Sequence, residues 1–112
     1  MNIDQLLQLA KLLDNKQNSN SSDSENHFFK IGESYLIRTV TMIDIGRLEK
    51  VGDKELVLSS AAWIADTSRF SECLVTGKLG EVEPFPDGEV IIGRGAIIDA
   101  VIWTKPLPRE VK

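Results

Sequence analysis

Two residues of the chain have the chemistry of a nucleophile and a general base: the single cysteine, Cys73, and the single histidine, His27. A nucleophilic site needs the base within hydrogen-bond reach of the nucleophile. His27 stands at the end of a polar stretch, whereas Cys73 stands between Phe70 and Leu74 in a segment with the spacing of a short helix. Two such ligands also fall short of the four that a structural zinc ion takes. We therefore expect neither a catalytic pair nor a zinc site.

A second group of candidate residues is acidic. Oxygen ligands suit a hard cation such as calcium, and four carboxylates lie close together in sequence: Glu81, Glu83, Asp87 and Glu89. Their spacing is not that of a known calcium loop, so a solvated acidic loop is the alternative. Gly93-Arg94-Gly95 lacks the further glycines and the following helix of a phosphate-binding loop. We expect a protein without enzymatic activity, cofactor or metal ion.

The charge balance argues against a large nucleic-acid interface. The 112 residues include 13 Lys or Arg and 17 Asp or Glu, which gives a formal net charge of −4. Proteins that bind phosphate backbones usually have a basic face. A local basic strip remains an alternative, because Arg38, Arg47, Lys50 and Lys54 are close in sequence. A solvated strand face of mixed charge is the other interpretation of the same residues.

The N-terminal segment predicts an amphipathic helix over residues 1–14. Its apolar residues follow the i, i+3, i+4, i+7 spacing that places side chains on one helix face; they are Ile3, Leu6, Leu7, Ala10 and Leu13. An isolated helix shorter than about 12–15 residues is marginal in water, so this face has to dock. The docking surface is either the chain's own main domain or a groove of a neighbouring subunit or another protein.

Residues 15–27 have the composition of a flexible polar linker. The run NKQNSNSSDSEN contains no apolar side chain that could be buried. As a random coil this linker spans roughly 20 Å, which is enough to deliver the helix to an adjacent subunit. No segment has the pattern of a signal peptide, and no apolar run approaches about 18 residues. We expect a cytoplasmic or virion-associated protein that does not enter a membrane.

Residues 28–112 have the pattern of one mostly-β domain. Tyr35–Ile45 is rich in β-branched and aromatic residues and predicts one long strand. Arg47–Val51 and Glu55–Ser60 lie on either side of Gly52-Asp53, which is the turn chemistry of a hairpin. We expect Gly46 to bend the strand that contains it.

The second half of this domain contains a helix, a loop and two further strands. A short helix is expected over about Ser68–Val75, with Gly77 as its end. Gly80–Gly88 contains two prolines and two glycines and predicts a loop. Val90–Ile92 and Ala96–Trp103 then predict two strands around the Gly-Arg-Gly turn.

The strand segments resemble the two sequence motifs of the Sm, Sm-like and Hfq proteins. Residues 45–58, which run from Ile45-Gly46-Arg47 to Leu56-Val57-Leu58, are similar to the first motif, in which a glycine bends a strand and a hairpin follows. Residues 89–103, EVIIGRGAIIDAVIW, are similar to the second motif, which is built around Arg-Gly. The resemblance implies a mostly-β fold: a small five-stranded Sm-like (SH3-like) barrel, here with an N-terminal amphipathic helix and one short inserted helix.

The resemblance also implies self-assembly, because family members form rings by pairing the edge strands on either side of the Arg-Gly turn with a neighbour. Exposed strand edges have to be covered. The residues expected at this oligomer interface are Val90, Ile92, Ile97, Val101 and Trp103. We expect a structural or assembly subunit that forms a homo-oligomeric ring, with stacking into filaments as an option, and whose N-terminal helix docks to a neighbour.

Two alternative functions remain open at this point. The first is RNA binding through Arg94, Arg47 and Lys50, which is disfavoured because Glu55 stands where RNA-binding family members usually have asparagine. The second is an adaptor that binds another protein through its N-terminal helix. The stretches WIADTSRF and EVEPFPDGEVIIGRGAIIDA also resemble small proteins of bacterial viruses and prophages, which favours a virion or filament component.

Overall fold

A computed structural model of the protein describes residues 2, 3, 5 and 27–112. Within them the fold is mostly β, as the sequence predicts, with six strands in one antiparallel sheet and one short helix. The strands are β1 Ser34–Thr39, β2 Ile43–Val51, β3 Glu55–Asp66, β4 Glu81–Pro84, β5 Val90–Gly93 and β6 Ile97–Ile102. Helix α1, Phe70–Thr76, connects β3 to β4, and a 3₁₀ turn, Arg94–Ala96, connects β5 to β6.

Strand β3 has two different neighbours along its length. The strand order is β4-β3-β2-β1-β6, and β5 also pairs with β3. The first part of β3 pairs with β5, with Leu56 opposite Ile92, and the last part pairs with β4, with Ile64 opposite Val82. Between the two parts Ser60 has a φ of 47° and bends the strand.

The sheet is not closed into a barrel, so the predicted five-stranded barrel is wrong in two respects. A sixth strand, β4, takes the second part of β3, and in the described part of the chain β5 and β6 do not pair with each other. The three residues of the 3₁₀ turn connect β5 and β6, yet each strand pairs with a different partner, β3 and β1 respectively. The outer edges of these two strands therefore remain unpaired.

The long strand predicted over Tyr35–Ile45 is in fact two strands with a tight turn between them. The Thr39 N–H donates to the Met42 carbonyl oxygen at 2.7 Å, and the Met42 N–H donates to the Thr39 hydroxyl oxygen at 2.9 Å. A threonine hydroxyl can close a turn in this way without Gly or Pro. Because the segment contains neither, its composition is that of a continuous strand.

The loop predicted over Gly80–Gly88 contains strand β4 at its start. Pro84 is the last residue of β4, a position where the lost amide donor does not interrupt the ladder. The remainder is a turn in which the Gly88 carbonyl oxygen accepts from the Ala61 N–H at 2.8 Å. This hydrogen bond satisfies the backbone of β3 at its bend.

Both faces of the sheet are covered, and each carries its own hydrophobic core. Successive side chains of a strand point to opposite faces, so on β1 Tyr35 and Ile37 belong to one core and Leu36 to the other. The first core includes side chains from β5 and β6. Its other buried members are Leu48, Val51, Leu56, Leu58, Ala61 and Ile92. The second core's remaining members are Ile45, Ala62, Ile64, Cys73, Leu79, Val82 and Trp103. Burying each of the larger aliphatic side chains contributes about 1.5–3 kcal/mol.

Helix α1 covers the second core. Cys73 is buried in it, and Phe70 and Leu74 pack against it. The helix ends where the sequence predicts, because Gly77 has a φ of 80° and its N–H donates to the Cys73 carbonyl oxygen at 2.8 Å. In the described part of the chain no helix has the length and apolar composition needed to cross a membrane.

The described N-terminal residues contain the beginning of a helix. Ile3 and Gln5 are helical, and the side chains and backbone amides of Asn2 and Gln5 form reciprocal hydrogen bonds of 3.2 and 2.7 Å. This is the arrangement of a capping box at a helix N-terminus. The other predicted stripe residues, Leu6, Leu7, Ala10 and Leu13, lie outside the described residues, as does the predicted linker except for His27.

At Gly46 the neighbouring strand β3 leaves little room for a side chain on β2. The pairing register of these strands shifts between Ile45 and Arg47, which is a bulge. A Cβ atom at position 46 would lie 3.0 Å from the Leu58 Cβ, 3.1 Å from the Ala61 Cβ and 3.1 Å from the Ser59 carbonyl oxygen. All three atoms belong to the backbone or first side-chain carbon of a central strand, so they have little room to move.

We predict that Gly46→Ala lowers the free energy of unfolding by about 1–3 kcal/mol, because overpacking forces strands apart. The matched control is Gly95→Ala, since a Cβ there would meet no atom within 4 Å. Urea denaturation of both variants measures the difference. Equal stability of the two variants would contradict the close approach described for Gly46.

Candidate functional site

The residues with catalytic chemistry lie apart in the fold. Cys73 is buried in the second core, and its burial raises the pKa of the thiol. A nucleophilic cysteine needs the opposite shift, toward the thiolate. His27 lies beside Phe29, whose backbone N–H donates to the His27 Nδ1 at 3.1 Å. Among the described residues no three His, Cys, Asp or Glu side chains come together to hold a metal ion.

Asp44 is the buried ionisable residue of the sheet. It lies on β2 between Ile37 of β1 and Trp63 of β3, its cross-strand neighbours, and is 6% exposed. Burial raises the pKa of its carboxyl group, because the charged form loses solvation. Within the described residues no hydrogen bond or ion pair compensates this carboxylate. We therefore expect the ionised Asp44 carboxylate to lower the stability of the fold at neutral pH.

The predicted RNA-contact residues are engaged with other groups of the chain or lie in a mixed-charge face. Arg94 donates through Nη1 to the Gly52 carbonyl oxygen at 2.6 Å and so holds the β2–β3 turn. Arg47 Nε lies 3.6 Å from the Glu49 carboxylate, and Lys50 is exposed further along the same strand. Arg94 thus acts as a structural hydrogen-bond donor that links the β5–β6 turn to the β2–β3 turn.

The outer edge of β6 presents unpaired backbone groups. The Trp103 N–H donates to the Ser34 carbonyl oxygen at 2.7 Å, which fixes that residue pair as hydrogen-bonded. In an antiparallel ladder hydrogen-bonded and non-hydrogen-bonded pairs alternate. Because Ile102 and Ala100 follow at the non-bonded positions opposite β1, their N–H and C=O groups point away from the sheet.

The outer edge of β5 is unpaired in the same way. The Arg94 N–H donates to the Lys54 carbonyl oxygen at 2.8 Å, so the alternation places Ile92 toward β3. Ile91 and Gly93 then direct their backbone groups outward. The two strands joined by the 3₁₀ turn are therefore the two strands with unpaired edges.

The five residues predicted for the oligomer interface are mostly used inside the chain. Ile92 and Trp103 are buried in the first and second cores, and Val90 and Ile97 pack partly against the first core, while Val101 is half-buried. The exposed apolar residues of these strands are their neighbours: Ile91 at 59%, Ile98 at 63% and Ile102 at 42%. The sequence offers no signal for choosing between the two alternations of β5, because Val90, Ile91 and Ile92 are all apolar and β-branched.

Strand β4 provides an internal comparison, because it is also an edge strand and is protected. Its Val82 exchanges two backbone hydrogen bonds with Lys112, of 3.0 and 2.9 Å. Its exposed side chains are Glu81 and Glu83, and it ends at Pro84. Charges, proline and a covering segment are the usual means by which a monomeric protein prevents pairing at an edge.

The edges of β5 and β6 have none of these protective features in the described structure. Neither strand contains Lys, Glu or Pro, and the charged residue that they do contain, Asp99, forms an ion pair with Arg38. The Arg38 side chain pairs with Asp99 across the strands, with Nε donating to Oδ1 at 2.8 Å, and lies 4.8 Å above the Phe70 ring. This hydrogen bond holds the pKa of the Asp99 carboxyl below its usual range.

Two shallow clefts adjoin Ile98 of β6. The first is mostly apolar, and the second combines apolar and polar side chains, among them Arg38, Thr39 and Thr41. The first, of about 410 Å³, is where the arm before β1 meets β6, and it is lined by His27, Phe28, Phe29, Tyr35, Arg94, Ile97, Ile98, Asp99 and Ala100. The second, of about 420 Å³, lies under the β1–β2 turn and contains Val40, Met42 and Trp63. Ile98 lines both clefts, so they adjoin at this side chain.

No protein-family model matches this chain, and no curated protein matches it. The assignment of function therefore rests on the edges, clefts and contacts of the fold itself.

We predict that Asp44→Asn stabilises the protein at pH 7 and that the gain disappears in acid. An Asp with a raised pKa in the folded state contributes stability below the ordinary Asp pKa and loses it as the pH rises through the raised value. Each unit of the shift corresponds to about 1.4 kcal/mol. Thermal unfolding of both proteins from pH 3 to pH 7 measures the effect.

The exposed Asp87→Asn is the control for the loss of one negative charge. It should change the melting temperature little at either pH. A stability gain for Asp44→Asn that is the same at pH 3 and pH 7 would show that desolvation of the Asp44 carboxylate is not its cause.

Proposed function

We propose that this protein is a non-enzymatic assembly subunit that forms a homo-oligomer by pairing β5 of one copy with β6 of the next. The observation that carries the proposal is the contrast between the edges. Strand β4 is covered and charged, whereas β5 and β6 expose unpaired backbone groups next to apolar side chains. An unprotected apolar edge is a template for another strand, and a copy of the chain carries both required edges.

The proposed contact joins two different surfaces, because the β5 edge of one copy meets the β6 edge of another. Such a heterologous contact repeats from copy to copy, and it produces a ring if the rotation closes or a filament if it does not. A two-fold contact between two β6 edges would instead stop at a dimer. The proposal therefore requires both edges in every copy.

A relationship to the Sm-like proteins is part of this proposal. Two features support it: the close approach at Gly46, where a glycine bends β2, and the short turn Arg94–Ala96 between the last two strands. The extra strand β4 and the open sheet are departures from the closed five-stranded barrel. The strand β4 pairs with the last part of β3, and in the described part of the chain the open sheet leaves β5 and β6 unpaired with each other, so neither departure removes the edges that the proposal uses.

We predict that Ile91→Lys and Ile102→Lys each reduce the oligomer to single chains. Each substitution places a charge on one of the two edges, where pairing would have to desolvate it. Light scattering coupled to size-exclusion chromatography, at about 10 μM chain so that micromolar contacts remain occupied, measures the mass. Val75→Lys on helix α1 is the matched control, because Val75 is 72% exposed and lies outside both edge strands. It should assemble like the natural protein.

Mixing the two edge variants tests the geometry directly. Ile91→Lys chains retain the β6 edge and Ile102→Lys chains retain the β5 edge, so an equimolar mixture should form one-to-one dimers that grow no further. Dissociation by Ile102→Lys alone, with Ile91→Lys still forming dimers, would replace the proposal with a two-fold β6 contact. Single chains for the natural protein at 10 μM would end it.

A further inference from the structure

Around Ile98, where the two clefts adjoin, lies a band of exposed apolar side chains that the edge pairing does not use. We define this apolar band by Phe28, Ile98, Val40 and Met42. Phe28 is fully exposed at 102%, Val40 is 69% exposed and Met42 is 53% exposed. The Val40 N–H donates to the Ala96 carbonyl oxygen at 3.0 Å, which holds the β1–β2 turn against the start of β6. The band is thus built on hydrogen-bonded structure.

The size of the band indicates a function. Four exposed side chains of this kind, grouped around Ile98, expose roughly several hundred Å² of apolar area, on the order of the largest patches found on monomeric proteins. Patches of this size commonly mark an interaction site. The edge pairing of β6 uses Ala100 and Ile102, which are further along the strand, so most of the band needs a different cover.

The chain itself has a second uncovered apolar surface, at its N-terminus. The capping box of Asn2 and Gln5 starts a helix, and Ile3, the first residue of the predicted apolar stripe, is 75% exposed. The sequence continues the stripe with Leu6, Leu7, Ala10 and Leu13. A helix this short needs a docking surface to be stable.

The stripe is tethered close to the band, because the polar segment that follows the stripe is short and leads directly to the cleft that contains Phe28. Residues 14–26 have a polar composition and end at His27, which lines the same cleft as Phe28 and Ile98. As a random coil, 13 residues span roughly 20 Å. A tether of this length gives the stripe a millimolar effective concentration at the band. A separate partner protein of equal affinity would need a higher concentration than this to displace the stripe.

We propose that the apolar band is the docking site of this chain's own N-terminal segment, with the stripe of residues 3–13 seated over Met42, Val40 and Ile98. The recognition is of the helix-in-groove type, in which residues spaced i, i+3, i+4 and i+7 contact a hydrophobic surface. The docking does not rest on the assembly proposal, because the segment can come from the same copy or from an adjacent one. The proposal gives the exposed Met42 side chain a role, which is to contact the apolar stripe of the N-terminal segment.

The test measures how fast a thiol-specific maleimide labels Met42→Cys in the full-length chain, relative to Val75→Cys. Cys73 gives little background, because it is buried and burial raises the pKa of its thiol. Adding Leu7→Asp should accelerate labelling at position 42 about tenfold and leave position 75 unchanged, since a docking free energy of about 1.4 kcal/mol corresponds to a factor of ten. Gln8→Asp is the matched control, because Gln8 lies on the opposite face of the same predicted helix.

The outcomes separate this inference from the assembly proposal. Docking that is independent of edge pairing is supported by one pattern of slow labelling at position 42. The slow labelling is lost with Leu7→Asp and retained with both Gln8→Asp and Ile102→Lys. Protection that disappears with Ile102→Lys but not with Leu7→Asp would show that a neighbouring sheet covers Met42, and it would overturn the docking. Equal labelling ratios for all N-terminal variants would overturn it as well. Protection that persists at nanomolar chain concentrations assigns the segment to its own copy, and protection lost on dilution assigns it to a neighbour.

Discussion

On the side opposite β2, strand β3 hydrogen-bonds to β5 along its first part and to β4 along its last part, and the remaining architecture depends on this fork. A simple antiparallel sheet has two edges, but a strand that changes partner at Ser60 leaves three, those of β4, β5 and β6. Every backbone amide and carbonyl on these edges needs water or another strand as a partner. The chain covers one of the three edges itself, through the hydrogen bonds between Val82 and Lys112. The covered edge is also the one that carries exposed acidic residues and a proline, since Glu81, Glu83 and Pro84 all lie on β4.

The same bend explains why so short a chain has two cores. Domains of about 100 residues bury a smaller share of their surface than large ones and are correspondingly marginal. By bending at Gly46 in β2 and at Ser60 in β3, the sheet places one core on the face shared with β5 and β6 and the other beneath helix α1. Tyr35, Leu36 and Ile37, which are consecutive on β1 and alternate between the two faces, are all buried as a result. The cost is a close approach of backbones at Gly46 and a buried carboxylate at Asp44, where the two halves of the sheet meet.

The sequence predicts the elements whose chemistry is local. The Gly52-Asp53 hairpin, the end of helix α1 at Gly77 and the turn around Arg94 all follow from residues with strong conformational preferences, and the structure contains each of them. The turn between β1 and β2 could not be predicted in this way, because it is closed by the hydroxyl of Thr39, a residue that favours strands. Strand β4 could not be predicted either, because its segment is rich in proline and glycine and it forms a strand only by pairing with β3.

The candidate site shows the same division between local and tertiary information. The sequence indicates correctly that β5 and β6 are strands, and it does not indicate which of their apolar residues face water. Alternation alone cannot decide this in a run such as Val90-Ile91-Ile92, because every position is apolar. The decision is made by the register with β3, which sends Ile92 into the first core and leaves Ile91 outside. Arg94 is a similar case, because only the fold shows that its guanidinium is directed to the Gly52 carbonyl.

The short length of β5 sets the energetics of the proposed assembly. Only Ile91 and Gly93 direct backbone groups outward on this strand, and a hydrogen bond exchanged with water contributes about 0.5–1.5 kcal/mol net. A few such bonds do not offset the loss of translational and rotational freedom, which costs at least about 4 kcal/mol. Most of the affinity must therefore come from burying Ile91 and Ile102, whose exposed side chains lie on the two edges. Because a single contact of this kind is weak, closure of a ring, in which every copy makes two contacts, would stabilise the assembly far more than any one contact.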